Sequence, residues 1–210
     1  PVWEGRSWFQ YPQPPGTPGH EGGGRIEALG PCVDGVTVGQ RVAVLSYRAF
    51  AEYDVAPADA VVPLPPSLDA LPFPGEALGC AVNVSLRSGF QAGQVAAVVG
   101  VGFLGALIVQ LAARAGVSVI AISRRAYSLE VARRFGAVET IALDDRRAVL
   151  ERVLALTGGQ GCDVVVEAVG LQEPLDVAGE LTRERGRLVI AGYHQDGPRQ
   201  VDLRLWNWRG

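Results

Sequence analysis

Three glycines, Gly100, Gly102 and Gly105, have the spacing and the neighbours that suit binding of a charged ligand. A β-branched apolar run precedes Gly100, and an apolar run with helical spacing follows Gly105. This order predicts a strand, a tight turn and a helix. The first glycine permits the turn, the second lets backbone approach a pyrophosphate, and the third lets the helix pack closely on the strand. Because free N–H groups at a helix N-terminus favour an anion, we predict a dinucleotide site that includes Phe103 and Leu104.

The residues after the next predicted strand indicate which dinucleotide binds. A carboxylate that lies about 20 residues after the glycines usually holds the ribose hydroxyl of NAD. Here the strand over residues 117–122 is followed by Ser123, Arg124 and Arg125. A carboxylate would repel a 2′-phosphate, and a guanidinium is a planar, permanently charged partner for one. The sequence therefore predicts NADP(H), with NAD as an alternative; the other interpretation is a solvated basic loop.

A second cluster has the residue types of a metal site. His20 and Glu21 lie in a glycine-rich turn before a predicted strand. Imidazole and carboxylate are both zinc ligands, and Cys80 would add a thiolate. Glu76 lies one helical turn before Cys80 and shares its helix face. The four residues together predict a zinc site; taken singly, the histidine reads as a surface residue and the cysteine as a small apolar one.

Two patterns divide the chain near residue 88. Residues 1–88 contain short alternating segments between turns, which predicts a small antiparallel barrel or sandwich. Residues 89–210 alternate strands with helices, which predicts a doubly wound parallel sheet. The predicted strands are 24–29, Arg41–Leu45, 50–55 and 60–64 in the first part, and Val95–Val99, 117–122, 138–143, 163–167, 187–191 and 201–205 in the second. The predicted helices are 76–88, the segment ending at residue 115, 127–135, Arg146–Leu156 and 174–181.

The composition excludes several classes of protein. A net charge of −3 over 210 residues does not favour a nucleic-acid partner. No apolar run approaches the roughly 20 residues of a membrane helix. Three widely spaced cysteines suit a reducing compartment, so we expect a cytoplasmic protein in which Cys32 and Cys162 pack as apolar residues. Since methionine is absent, we expect a fragment or a processed product.

These segments together resemble the medium-chain dehydrogenase/reductase superfamily, zinc-dependent alcohol dehydrogenase type, over residues 16–210. Residues 19–26 are similar to the family's G-H-E-x-x-G-x-V signature, and residues 76–80 to its E-P-L-x-C segment. Residues 100–105 are similar to its cofactor turn. The resemblance implies an α/β fold in which a doubly wound parallel Rossmann sheet follows a partial GroES-like β-barrel domain.

The resemblance also implies roles for the metal cluster. By it, His20 and Cys80 bind a catalytic zinc. Glu21 is a catalytic carboxylate close to the metal or an exchanging ligand, and Glu76 takes that place in the polyol-type branch. The family's first zinc cysteine and its structural zinc lobe have no counterpart in the sequence. We therefore expect weak zinc binding and poor turnover from this chain.

The resemblance implies hydride transfer between NADP(H) and a small alcohol or carbonyl compound, including polyols. Val169, Gly170 and Gly192 lie in segments similar to those that close over the nicotinamide. A zinc-free quinone-reductase-type enzyme and a non-catalytic nucleotide-binding remnant are the alternatives. Strand 201–205, followed by Trp206 and Trp208, predicts an edge that pairs with a second copy in a homodimer or homotetramer.

Overall fold

The computed structural model describes residues 5–7, 9–17 and 19–209, and divides the chain into two compact units, Pro1–Gly79 and Cys80–Gly210. The boundary lies inside the first helix, α1 (Gly75–Ser88), and therefore earlier than the one predicted after residue 88. The assignment of a separate function to each side of residue 88 stays a prediction.

The first unit contains a small antiparallel sheet. Its strands are β1 (Glu21–Arg25), β2 (Arg41–Leu45) and β3 (Val61–Pro63), in the order β1-β2-β3. Gly22 pairs with Val44, and a Cβ at Gly22 would lie 2.8 Å from the Val44 side chain. The glycines after Glu21 thus allow β1 to approach β2 closely in the sheet. Strand β1 begins and ends earlier than the predicted strand 24–29.

The predicted strand over residues 50–55 is wrong. Phe50, Tyr53 and Val55 are largely exposed, so pairing in a sheet would bury no apolar face there. Asp54 instead forms local hydrogen bonds: it accepts from the Val55 N–H at 2.8 Å and from the Ser46 hydroxyl. Such side-chain bonds compete with a sheet ladder for the same backbone.

The second unit is built on a five-stranded sheet whose paired strands all run parallel, which confirms the predicted fold class. Its strand order is β6-β5-β4-β7-β8. The strands are β4 (Val95–Val99), β5 (Ser118–Ser123), β6 (Glu139–Ala142), β7 (Cys162–Glu167) and β8 (Thr182–Ile190). The connecting helices are α2 (Phe103–Arg114), α3 (Ala126–Arg134), α4 (Arg146–Leu156) and α5 (Gln172–Leu181).

The core of this unit lies on both faces of the central strand, β4. Ala96 and Val98 belong to one buried cluster, and Ala97 and Val99 belong to a second. Because helices cover both faces, the strand is a continuous apolar run rather than an alternating one. No helix in the described part of the chain has the length and apolar content needed to cross a bilayer.

The predicted sixth strand, 201–205, is wrong: the chain forms a helix there, α6 (Leu203–Arg209). Asp202 Oδ1 accepts from the Leu205 N–H at 3.1 Å, and the Asp202 carbonyl accepts from the Trp206 N–H at 3.0 Å. The Arg209 guanidinium donates to the Glu180 carbonyl at 2.6 Å at the end of α5. The helix cap and this tertiary contact outweigh the alternating pattern. Because no strand forms there, the prediction that two copies pair along this edge loses its basis.

Candidate functional site

The glycine turn joins β4 to α2 at the carboxyl end of the sheet. Gly100 has φ +98°, and a Cβ there would lie 2.3 Å from the Val169 side chain. A Cβ at Gly105 would lie 2.0 Å from the Gly100 carbonyl oxygen, so the helix packs directly on the turn. Gly102 differs from both, because no atom outside its two chain neighbours lies within 4 Å of its Cβ position. Because Gly102 is the N-cap of α2, this open space adjoins the helix terminus where free N–H groups favour an anion.

The other two residues predicted in this turn occupy different environments. The Phe103 side chain is 59% exposed at the start of α2. Leu104 is half-buried and packs on the apolar core. Backbone N–H groups can therefore serve a ligand here while Leu104 anchors the helix.

The segment after β5 lies beside this turn. The Gly100 N–H donates to the Ile122 carbonyl at 2.8 Å, which ties the ends of β4 and β5 together. Ser123 is buried, and its Oγ accepts from the Arg125 N–H at 3.4 Å. Arg124 and Arg125 are exposed, and neither guanidinium has an ion-pair or hydrogen-bond partner among the described residues. Two positive charges without described ion-pair partners thus lie just before the start of α3, and the N-terminus of a helix stabilises an anion.

The first unit brings together three of the predicted metal ligands. One ligand atom from each of His20, Glu21 and Glu76 lies within 4.8 Å of the others. The distance from His20 Nε2 to Glu76 Oε1 is 3.9 Å. Ligand atoms around a tetrahedral zinc lie about 3.4 Å apart, given bonds of about 2.1 Å. The imidazole and two carboxylates would therefore hold a zinc ion if their ligand atoms moved together by up to about 1.4 Å. His20 is half-exposed, which leaves room for a further ligand.

The cysteines have different surroundings. Cys80 is exposed and follows Glu76 by one turn of α1, on the other side of the boundary between the two units. Burial, with a smaller contribution from the Asp163 charge, raises the pKa of the Cys162 thiol to about 12. Cys162 thus stays protonated and packs in the core as predicted. Cys32 is exposed in a turn with φ +62°, so its predicted packing role is wrong.

The loops that follow β7 and β8 meet at the same edge of the sheet. A Cβ at Gly192 would lie 2.2 Å from the Gly170 nitrogen, so these two predicted cofactor residues are in direct contact. Val169 is 37% exposed beside Gly100. The structure thus gathers the glycine turn, the basic segment after β5 and these loops at the carboxyl ends of the strands, where α/β sheets bind ligands.

Sequence reasoning missed a charged network beneath these loops. Glu167, at the end of β7, is fully buried and contacts His194, which in turn contacts Arg199. One signal was available, because His194 is one of only two histidines in the chain. The apolar surroundings of Glu167 in the sequence gave a second: a carboxylate that ends a buried strand needs partners.

Comparison with known proteins places the whole chain. The strand order and the glycine turn after β4 define a Rossmann-like α/β fold. Residues 104–206 match the zinc-binding dehydrogenase family, and residues 2–66 match the alcohol dehydrogenase GroES-like domain. The chain belongs to the medium-chain dehydrogenase/reductase superfamily and is of the zinc-dependent alcohol dehydrogenase type.

Individual relatives differ in their chemistry. The chain is 33% identical to L-threonine 3-dehydrogenase of Bacillus subtilis, over 88% of this chain and 61% of that protein. It is 31% identical to a quinone oxidoreductase of Pseudomonas aeruginosa, over 95% of this chain and 63% of that protein. A mycobacterial protein solved in complex with NADPH superimposes with a TM-score of 0.76 at 28% identity, over 90% of this chain and 60% of that one. The chain thus spans less than two thirds of the length of these relatives.

Proposed function

We propose that the protein is an oxidoreductase that transfers a hydride between NADP(H) and an alcohol/aldehyde or polyol/ketone pair, with assistance from zinc. The observation that carries this proposal is the pair of uncommitted guanidiniums, Arg124 and Arg125, one strand away from the open glycine turn. A 2′-phosphate would bind them, and the pyrophosphate would lie over Gly102 at the start of α2. The NADPH bound to the mycobacterial neighbour supports this choice.

The cofactors supply chemistry that the side chains lack. When bound, zinc polarises the alcohol or carbonyl oxygen as a Lewis acid, and the dinucleotide carries the hydride. His20 and Glu76 would hold the metal, and Cys80 would be a further ligand. Glu21, adjacent to His20, would be an exchanging ligand or hold a proton near the substrate oxygen.

The direct test is oxidation of NADPH by the protein in the presence of zinc. Because we expect poor turnover from this chain, nicotinamide absorbance should fall slowly when small aldehydes or ketones are added, and more slowly still with NADH. Binding of NADPH without turnover of any substrate in that panel would favour the non-catalytic remnant. Absence of NADPH binding would contradict the proposal altogether.

We predict that zinc binding depends on the histidine–carboxylate cluster. His20→Ala and Glu76→Gln should each weaken zinc affinity by at least about tenfold, the lower end of the effect of losing even an indirect metal partner. Competition with a chromophoric chelator measures this affinity. Glu27→Gln, which removes an exposed carboxylate outside the cluster, is the matched control and should change nothing.

Cobalt substitution tests the thiolate. A cobalt-loaded protein in which Cys80 is a ligand should show a thiolate-to-metal absorption band that is absent from Cys80→Ser. Zinc affinity that is insensitive to His20→Ala would contradict the proposed site. It would favour the zinc-free quinone-reductase alternative, which the similarity to the Pseudomonas aeruginosa enzyme supports.

Substrate, assembly and location are proposals at a coarser level. We propose a small-molecule alcohol or carbonyl substrate and a homo-oligomer. Residues 201–205 were predicted to form an edge strand between subunits, but helix α6 occupies most of that segment. The two exposed thiols, Cys32 and Cys80, support a reducing compartment such as the cytoplasm.

A further inference from the structure

Glu167 is a fully buried carboxylate whose oxygens all have partners. Its Oε1 accepts from the backbone N–H groups of Val169 and Gly170, each at 2.7 Å. Its Oε2 lies 3.0 Å from Nε2 of His194. A buried carboxylate needs such partners because it has lost its hydration. Glu167 therefore fixes the backbone of the loop after β7 through the N–H groups of residues 169 and 170.

The contacts of His194 define its tautomer. Arg199 Nε lies 2.8 Å from His194 Nδ1, and a guanidinium can only donate. Nδ1 is therefore the acceptor, and the ring proton lies on Nε2, where it is donated to Glu167. The neutral imidazole thus links a buried anion to a cation through two directed hydrogen bonds.

Arg199 binds the same loop through a backbone carbonyl group. Its NH2 group donates to the Gly170 carbonyl at 2.8 Å, and it also pairs with Asp196. The N–H of Gly170 is bound by Glu167 and its carbonyl by Arg199. Because Gly192 packs against the Gly170 nitrogen, the network locks the loops after β7 and β8 to each other.

The strand order decides which end of a dinucleotide these loops face. Strands β5 and β7 lie on opposite sides of β4. If the adenosine end occupies the β5 side, at Arg124 and Arg125, the pyrophosphate crosses the glycine turn and the nicotinamide end lies over β7 and β8. The loop that contains Val169 and Gly170 would then form a wall of the nicotinamide site.

Resting on the proposed function, we infer that His194 and Arg199 are positioning residues for the nicotinamide end of NADP(H). They act through the backbone of residues 169–170, which they hold in place with Glu167. Neither side chain needs to touch the cofactor. Their loss should loosen the nicotinamide end and leave the adenosine end unaffected.

The experiment compares two ligands on the same variants. Calorimetric titration gives the dissociation constants of NADPH and of adenosine 2′,5′-bisphosphate, which lacks the nicotinamide. His194→Ala should weaken NADPH binding about tenfold, the order expected for one charge-assisted hydrogen bond. The bisphosphate should bind within about twofold of the parent affinity, because distant sites act independently.

Three further variants separate positioning from general damage. His194→Gln keeps a donor for Glu167 and should recover part of the NADPH affinity. Arg199→Ala should weaken NADPH binding as His194→Ala does, and Arg204→Ala is its control for loss of charge, because Arg204 is an exposed arginine of α6 with no partner among the described residues. The fluorescence of bound NADPH adds a second readout: with His194→Ala it should shift toward that of the free cofactor, because the nicotinamide is less immobilised.

The possible results are distinct. Parent-like NADPH binding and fluorescence in His194→Ala would overturn the inference. Equal weakening of both ligands would also overturn it, because the network would then support the whole domain. If the parent chain binds neither ligand, the proposed function itself fails, and the inference fails with it.

Discussion

Gly102→Ala is expected to fold as stably as the parent chain and to lose dinucleotide affinity by about 100-fold, the cost of roughly two charge-assisted hydrogen bonds. The added Cβ meets no atom outside the two neighbouring residues within 4 Å, and the backbone at this position is extended, with φ −84°. The methyl group would instead occupy the space through which a pyrophosphate approaches the N–H groups of α2. Calorimetric titration with NADPH and a thermal melt measure the two effects separately.

Gly105→Ala is the matched variant, and its main expected effect is on the stability of the fold rather than on dinucleotide affinity. Its Cβ would lie 2.0 Å from the Gly100 carbonyl oxygen, so α2 must move away from the turn. Overpacking of this kind costs about 3 kcal/mol of unfolding free energy, which lowers the melting temperature by roughly 6–12 °C in a protein of this size. Normal NADPH binding by Gly102→Ala would show that the ligand does not cross this turn.

Arg124→Ala is expected to lower NADPH affinity about 10- to 100-fold, since one charge-assisted contact to the 2′-phosphate is worth about 1.5–3 kcal/mol. NADH affinity should not change, because NADH carries no phosphate at that position. Arg125→Ala should behave in the same way, and the double variant should bind the two cofactors equally. Titration of each variant with both cofactors measures the preference.

The control for this prediction is Arg114→Ala, which removes an exposed arginine from the last turn of α2. It should leave both affinities unchanged. Equal NADPH and NADH affinities in the parent chain would contradict the role assigned to Arg124 and Arg125. The fold and the glycine turn would still support a dinucleotide site in that case.

Local sequence patterns were enough to predict the elements around the glycine turn. Strand β4 was predicted with its observed bounds, because a strand covered on both faces must be apolar throughout. The positions of Gly100, Gly102 and Gly105 followed from local backbone requirements that a few residues specify. His20, Glu21, Glu76 and Cys80 were grouped from residue types and from the helical spacing of Glu76 and Cys80. The structure brings ligand atoms of the first three together.

Where local signals compete, contacts with the rest of the fold set the secondary structure. Residues 201–205 alternate like a strand, but the cap at Asp202 and the contact of Arg209 with α5 favour a helix. Residues 50–55 also alternate, yet they pair with no strand of the sheet. Alternation records only which side chains are apolar, and burial against another element is needed to convert it into a strand.

The buried network required the fold for the same reason. Glu167 and His194 are 27 residues apart in the chain, and nothing local relates them. They meet because β7 and β8 are parallel neighbours whose carboxyl ends open into adjacent loops. Periodicity and turn chemistry therefore specify single elements, whereas contacts between distant loops depend on strand order, which is set by the packing of the whole sheet.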